Sequence, residues 1–334
     1  MTATESLVDT AELEDLLGRM WAIRAFELRA LELFEEKLIR GSVHPYIGME
    51  AIAVGVCAAL RPDDFITSTH RGHGHCVAKG LSLERMMAEI IGRSDGYCRG
   101  KGGSMHITAI EKGMLGADAI VAGSSAIAVG AAHGLRLKGS DGVVVCFFGD
   151  GAANQGVLHE ACNLGAVLQA PVVFVCENNQ WAISTPASAS TRIANIADRA
   201  AGYGFPGVVC DGNDVLAMRD AASEAVARAR AGHGPTLIEA KSYRITAHSS
   251  ATKTDLRSPD ELDAWRRRDP IVGTSQLLLE HGLSQARLDE IEAEAHQAVA
   301  EAVAFALASP RPEPPQETED VYAPSTWNAD GRLA

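Results

Sequence analysis

The sequence predicts a doubly wound α/β fold: a mostly parallel sheet with helices on both faces and helical extensions at its two ends. The first observation is a pair of unbroken apolar runs, residues 143–148 (VVVCFF) and 172–176 (VVFVC), separated by a stretch of helical periodicity at 153–168. Strands covered on both faces have no solvent side, so they read as continuous apolar runs rather than as alternation. The second is that the alternation recurs, with GVVC at 207–210, an Ala-rich helical segment at about 214–231 and PTLIEA at 235–240. Strand, helix, strand repeated in this way describes parallel β-α-β units.

The flanking elements follow in order. Leu13, Leu17, Met20, Ile23, Leu31, Phe34 and Leu38 recur at helical spacings with charges between them, which predicts one or two amphipathic helices over 11–40. From 65 to 118 the chain is rich in Gly, His, Lys and Arg (THRGHGHC, GRSDGYCRGKGGSMH) and its apolar periodicity is weak, so this region is expected to be loops on a scaffold. Ser258, Pro259 and Glu261 open a helix, and Leu288, Ile291, Ala295, Val299 and Ala306 share one face of another, whose simplest role is packing. The Pro- and Glu-rich run ASPRPEPPQETED is extended by composition and is expected to lead to a docking segment, DVYAPS. The expected organisation is a helical extension (1–40), an α/β domain (41–258), C-terminal helices packed on it (259–310) and a tail (311–334). No internal repeat is found.

With 334 residues, 46% of them hydrophobic, the chain can bury one large core or two modest ones. A formal net charge of −13 argues against nucleic-acid or anionic-membrane surfaces, so any phosphate site must be local. Seven widely spaced cysteines and an acidic N-terminus without a secretory pattern predict reduced thiols and a cytoplasmic protein. The small-residue stretches 46–60 and 119–135 are too short or too polar to span a membrane, since they contain Glu50 and Ser124, Ser125 and His133; they suit close packing in a core or subunit interface.

The chemistry concentrates where the two central strands end, in FFGDGAANQG and CENNQWAIST. In a parallel unit both ends lie on one sheet edge, so Asp150 and Asn179 become neighbours. Gly149, Gly151, Ala152 and Ala153 leave the backbone bare where a helix is expected to begin, a phosphate-accepting arrangement, yet Asp150 stands in its middle. A carboxylate facing a diphosphate repels it unless a cation lies between them, and magnesium suits that oxygen-rich set. A dinucleotide fingerprint fails because residue 154 is Asn, and a P-loop fails around Lys101. Alone, a GDG turn is more often only a turn; its combination with the paired asparagines at that spacing and in a matching flanking sequence decides for a cofactor. His70, His73, His75 and Cys76 lack the paired spacing of closed zinc sites.

Gly149-Asp150-Gly151, followed after 26 residues by Asn178-Asn179, resembles the thiamin diphosphate and magnesium signature. With THRGHGHCVAKG, GKGGSMH and SYRITAHSS, it resembles the alpha subunits of the 2-oxoacid and acetoin dehydrogenases over roughly residues 15–310. The resemblance implies the thiamin diphosphate-binding fold, with Asp150, Asn179 and the main-chain oxygen of Trp181 on Mg2+. It implies Gly151, Ala152, His70 and Arg71 at the diphosphate, Val121 beside the aminopyrimidine, His248 on an active-site loop and His44 facing the substrate. His44 and His248 are expected to titrate near neutrality and to move protons. Departures from the family pattern are Ala119 and Ala122 in place of glycines, which predicts a tighter pocket around Val121. His70 and Trp181 stand where Tyr is common, and HSSATKTD replaces a more acidic loop. Ser249 is read as a loop hydroxyl.

The implied activity is decarboxylation of a 2-oxo acid (pyruvate first, branched-chain next) or cleavage of acetoin, with the acyl unit passed to a lipoyl-bearing acyltransferase. A glutamate essential to the cofactor would come from a separate beta subunit, in an assembly of two alpha and two beta chains, so this chain alone would turn over nothing. The alternatives are a two-component thiamin-dependent carboligase and a non-catalytic scaffold relative; intact Asp150, Asn179, Arg71, His44 and His248 weigh against the latter.

Overall fold

The computed structural model describes residues 9–313. Helix α1 (Thr10–Glu35) is a single long helix, started by Asp9, whose carboxylate accepts from the backbone N–H of Ala11 and Glu12. Its apolar stripe, including Leu13, Leu17, Met20, Ile23 and Phe26, is fully buried. Next come α2 (Glu50–Ala58), β1 (Phe65–Thr69), α3 (Gly72–Ala78), α4 (Leu83–Ile91) and β2 (Met114–Asp118). The region expected to be loops is therefore substantially regular, and its composition explains why no periodicity betrays it. In α3 the buried positions include Gly72, His73, Gly74, His75 and Cys76, so burial leaves no apolar pattern to see.

The central elements are α5 (Gly123–Leu137), β3 (Val144–Gly149), α6 (Gly156–Val167) and β4 (Val172–Asn178), followed by a small hairpin of β5 (Trp181–Ala182) and β6 (Thr185–Pro186). Short helices α7 (Ala187–Ser190) and α8 (Ala200–Tyr203) lead to β7 (Gly207–Asp211), α9 (Val215–Arg230) and β8 (Thr236–Lys241), and α10 (Pro259–Arg266), α11 (Pro270–Glu280) and α12 (Gln285–Ala308) complete the described chain. Ser258 caps α10 through a bond from Glu261 N–H, as its sequence pattern predicts. DVYAPS lies outside the described residues.

Six strands form one parallel sheet in the order β2-β1-β3-β4-β8-β7. Because successive side chains of a strand face opposite ways, β3 and β4 feed two cores. Val145, Phe147, Val173 and Val175 join the core built with α1–α4, α9, α11 and α12, while Val144, Cys146, Phe148, Val172, Phe174 and Cys176 pack against α5, α6 and α8. The chain runs outward in one direction from β1 to β2 and in the other from β3 to β4. The carboxyl ends of β1 and β3 thus flank the point where strand order reverses, the crevice in which such sheets bind ligands. Gly149 pairs in register with Glu177, which brings the residues just beyond both strands to one edge. All seven cysteines are free. Among the described residues no helix is long and apolar enough to cross a membrane.

Candidate active site

A cavity of about 360 Å³ opens at this reversal point, lined by the ends of β1 and β3, the turn before α5, the β5 hairpin and the loop that follows β8. His44, His70, Arg71, Val121, Asp150, Gly151, Ala152, Asn179, Trp181 and His248 all border it. Every site residue expected from the sequence therefore converges on one space.

Asp150 follows β3 directly, is 2% exposed, and its Oδ2 has no hydrogen-bond partner among the described residues. Burial raises its pKa to about 6 against the opposing pull of Arg244 and Arg71. An unpartnered carboxylate oxygen is costly to bury, and a divalent cation would offset that cost. Asn179 is buried across the edge, its Oδ1 accepting only a long 3.4 Å bond from Trp181 N–H and its amide nitrogen facing Met49 Sδ at 3.5 Å. Carboxylate, amide and nearby main-chain oxygens are the donors a magnesium ion takes. The residues present fit such a group.

The helix expected directly behind Gly151 starts later. Ala152–Asn154 form a single 3-10 turn, Gln155 is extended (φ −80°, ψ 138°), and α6 begins only at Gly156. The bare backbone beside Asp150 is this tight turn rather than a helix end.

Arg71 is buried, and burial lowers its pKa to about 9. Nη1 donates to Pro45 O at 2.9 Å; Nη2 donates to His248 O at 2.9 Å and meets His248 Nδ1 at 3.0 Å. A guanidinium cannot accept, so Nδ1 is the acceptor and the His248 proton sits on Nε2. Arg71 thus ties the His248 loop to the segment before α2, with part of its donor fork already engaged.

Three imidazoles crowd the cavity. Ring centroids of His44 and His70 are 4.9 Å apart, His44 and His248 5.1 Å, and His70 and His248 5.6 Å. His44 Nδ1 and His70 Nε2 have no partner among the described residues. Burial first, and then the neighbouring Arg71 charge, lower His44 to about 4, His70 to about 2 and His248 to about 3. This corrects the expectation of titration near neutrality: the three rings are neutral around pH 7 and serve as directional donors and acceptors. The same crowding means that an anion entering the cavity would favour protonating them.

His73 and His75 have other work. His73 bridges Glu27 (3.0 Å) and Ser104 (3.0 Å), and His75 bridges Ser68 (2.7 Å) and Glu177 (3.1 Å), where Tyr46 OH also donates to Glu177. Both nitrogens of each ring are engaged, so His75 braces β1 against β4 and His73 ties α1 to the turn at Ser104. Among the described residues no group of three His, Cys, Asp or Glu side chains is arranged around a metal.

Residues 18–315 match the family model described as Dehydrogenase E1 component. The chain belongs to the dehydrogenase E1 component family. It is 48% identical over 305 residues, 91% of each chain, to the alpha subunit of acetoin:2,6-dichlorophenolindophenol oxidoreductase from Bacillus subtilis. It is 42% identical over 317 residues (94% of this chain, 95% of that one) to the subunit of the same name from Cupriavidus necator. Similarity extends to the pyruvate dehydrogenase E1 component subunit alpha of Porphyra purpurea, 39% identical over 297 residues, 86% of each. The chain is an alpha subunit of a thiamin-diphosphate-dependent dehydrogenase of the 2-oxoacid and acetoin class. Being an alpha subunit implies a partner subunit.

Within this E1 alpha subunit, several cavity residues carried no motif signal. Ser68, Asp118, Ile120 and Ser124 also line the cavity. Arg244, 1% exposed, is a buried guanidinium whose Nε lacks a partner among the described residues, while Nη1 donates to Thr246 O at 3.5 Å and Nη2 to Ile183 O at 3.2 Å. The signal available for Arg244 was its place in SYRITAHSS, four residues before His248. Ser249 bonds Thr252 within its own loop.

Proposed function

We propose that this chain binds thiamin diphosphate through Mg2+ held by Asp150, Asn179 and the main-chain oxygen of Trp181. The observation that carries the reading is the buried, unpartnered Asp150 Oδ2 facing a cavity at the strand-order reversal, with Asn179 on the same rim. Gly151 and Ala152 would accept the diphosphate against bare backbone, with His70 and Arg71 reaching it from the end of β1. Val121, half exposed at the cavity mouth, would lie beside the aminopyrimidine.

When bound, thiamin diphosphate supplies a nucleophilic carbon and an electron sink for breaking a carbon–carbon bond beside a carbonyl. The chain's own contribution is to orient and to exclude water. His44, neutral and with Nδ1 unpaired, is placed to hold a substrate oxygen or pass a proton to it. His248, fixed by Arg71 in the Nε2–H tautomer, keeps a donor on its other nitrogen, on a ring packed against His44 and His70 at the cavity.

Acetoin leads among the substrates, supported by 48% and 42% identity to subunits named for acetoin oxidation, with pyruvate next and branched-chain 2-oxo acids after it. The acyl unit would pass to a lipoyl-bearing acyltransferase. The relatives from Bacillus subtilis, Cupriavidus necator and Porphyra purpurea are named as oxidoreductases or dehydrogenases, which weighs against the carboligase. A beta subunit completes the site, in an assembly of two alpha and two beta chains in the cytoplasm. Co-expression with the beta chain and a panel of acetoin, pyruvate and 3-methyl-2-oxobutanoate tests this. Cofactor-dependent reduction of an artificial electron acceptor with acetoin is expected; equal turnover by the purified alpha chain alone would contradict the two-component reading.

A further inference from the structure

A second cavity, of about 640 Å³, lies between the end of α1, the end of α4 and the loop 98–103. Among the described residues its wall carries Lys37, Arg40, Arg93, Lys101 and Arg311, with Glu89 as the carboxylate. That carboxylate is fully buried and accepts from four backbone N–H groups, those of Cys98 and Gly100 on one oxygen and Gly102 and Gly103 on the other, so it is turned to the loop. In a chain of net charge −13 this is a local excess of positive charge.

Several arginines elsewhere in the molecule meet carboxylates. Arg24 meets Glu50 and Asp269, Arg219 meets Glu12, Arg230 meets Asp64, and Arg287 meets Glu14. By contrast Lys37, Arg40, Arg93 and Arg311 have no ion-pair partner among the described residues, and Arg93 Nε is buried without any hydrogen-bond partner. Lys37, Arg40 and Arg311 are exposed and Arg93 half-buried, so water screens their mutual repulsion, while their summed positive potential in one concavity attracts an anion. The remaining wall is apolar or bare: Leu38, Ile90 and Ile91, with Gly103 backed by open space where a side chain would sit.

We propose that this cavity binds a small organic polyanion bearing phosphoryl groups, of the nucleoside di- or triphosphate class. Planar guanidinium forks match phosphate oxygens in pairs, the apolar wall suits a flat heterocycle, and the volume lies in the range of small-molecule sites. The site is separate from the cofactor cavity and shares none of its lining residues.

The test is calorimetric titration of ADP into the assembled protein with its beta subunit, already saturated with thiamin diphosphate and Mg2+ so that the cofactor cavity is filled. Saturable ADP binding is expected, weakened about tenfold or more, some 1.4 kcal/mol, in Arg40→Gln/Arg93→Gln. Lys37→Gln/Arg311→Gln should weaken it independently, and neither variant should change cofactor affinity. Absence of binding at millimolar ADP, equal binding by both variants, or displacement by excess thiamin diphosphate would overturn the proposal. So would binding that emerges only in a chain ending at Glu313, because the acidic residues Glu317, Glu319 and Asp320 would then be the better ligand.

Discussion

Replacing Glu89 by Gln puts a number on how the CRGKGG loop is held. The carboxylate accepts four backbone N–H bonds, at 2.7 and 2.9 Å on Oε2 and 2.7 and 3.1 Å on Oε1. Glutamine keeps one oxygen and replaces the other with an NH2, which has nothing to accept with and faces two N–H donors. Two bonds to a charged acceptor are lost, each contributing about 1.5–3 kcal/mol, so the loss is about 3–6 kcal/mol, a large part of a typical domain's stability. The consequence reaches the cofactor cavity. The loop runs on into Ser104, which bonds His73, and Met105, which lines the cavity. Urea unfolding of the variant, with limited tryptic digestion, measures both effects. A clear fall in the urea midpoint is expected, together with new cleavage after Arg99 and Lys101. Glu111→Gln, which removes only an exposed 3.8 Å ion pair with Arg85, should change stability by less than about 0.5 kcal/mol. An unchanged midpoint and an uncut loop in Glu89→Gln would mean that the four bonds do not hold the loop.

Two further tests follow from the same geometry. A Cβ on Gly74 would sit 2.2 Å from Cδ1 of the buried Tyr46 ring, so Gly74→Ala should destabilise by about 1–3 kcal/mol in thermal unfolding and loosen the Tyr46–Glu177 contact; Gly273→Ala, with open space in α11, should stabilise by about 0.5–1 kcal/mol. His44, His70 and His248 have folded pKa values of about 4, 2 and 3, below the ordinary 6.5, so between 6.5 and those values the unfolded chain binds more protons and stability falls as pH falls, with no contribution above 6.5. Urea midpoints measured from pH 7.5 to 5 should decline less steeply in His44→Gln/His70→Gln than in the parent, and parallel curves would rule this out.

How far the molecule could be read from its sequence depended on what fills the buried positions. β3 and β4 were legible because Val, Phe and Cys occupy both faces, and two parallel apolar strands leave little choice about which edge Asp150 and Asn179 share. α3 was not, because His73 and His75 are buried by hydrogen bonding rather than by apolarity, and no periodicity records a bond to Glu27 or Glu177. That the motif residues share one cavity was legible in the sequence, whereas the electrostatics were not. His44, His70 and His248, far apart in the chain, have their protonation suppressed by burial and by the Arg71 charge only once the fold has gathered them into one cavity. Arg244 and Glu89 illustrate the same limit, since their roles arise from what surrounds them and not from local spacing.

Whether Asp150 carries the metal that anchors the cofactor is decided by calorimetric titration of thiamin diphosphate into the assembled protein, with and without Mg2+, for the parent and for Asp150→Ala. Binding in the parent should need the metal. In Asp150→Ala affinity should fall about a hundredfold or more, some 2.7 kcal/mol, with little remaining dependence on Mg2+. Undiminished, metal-dependent affinity in a folded Asp150→Ala protein would contradict the assignment.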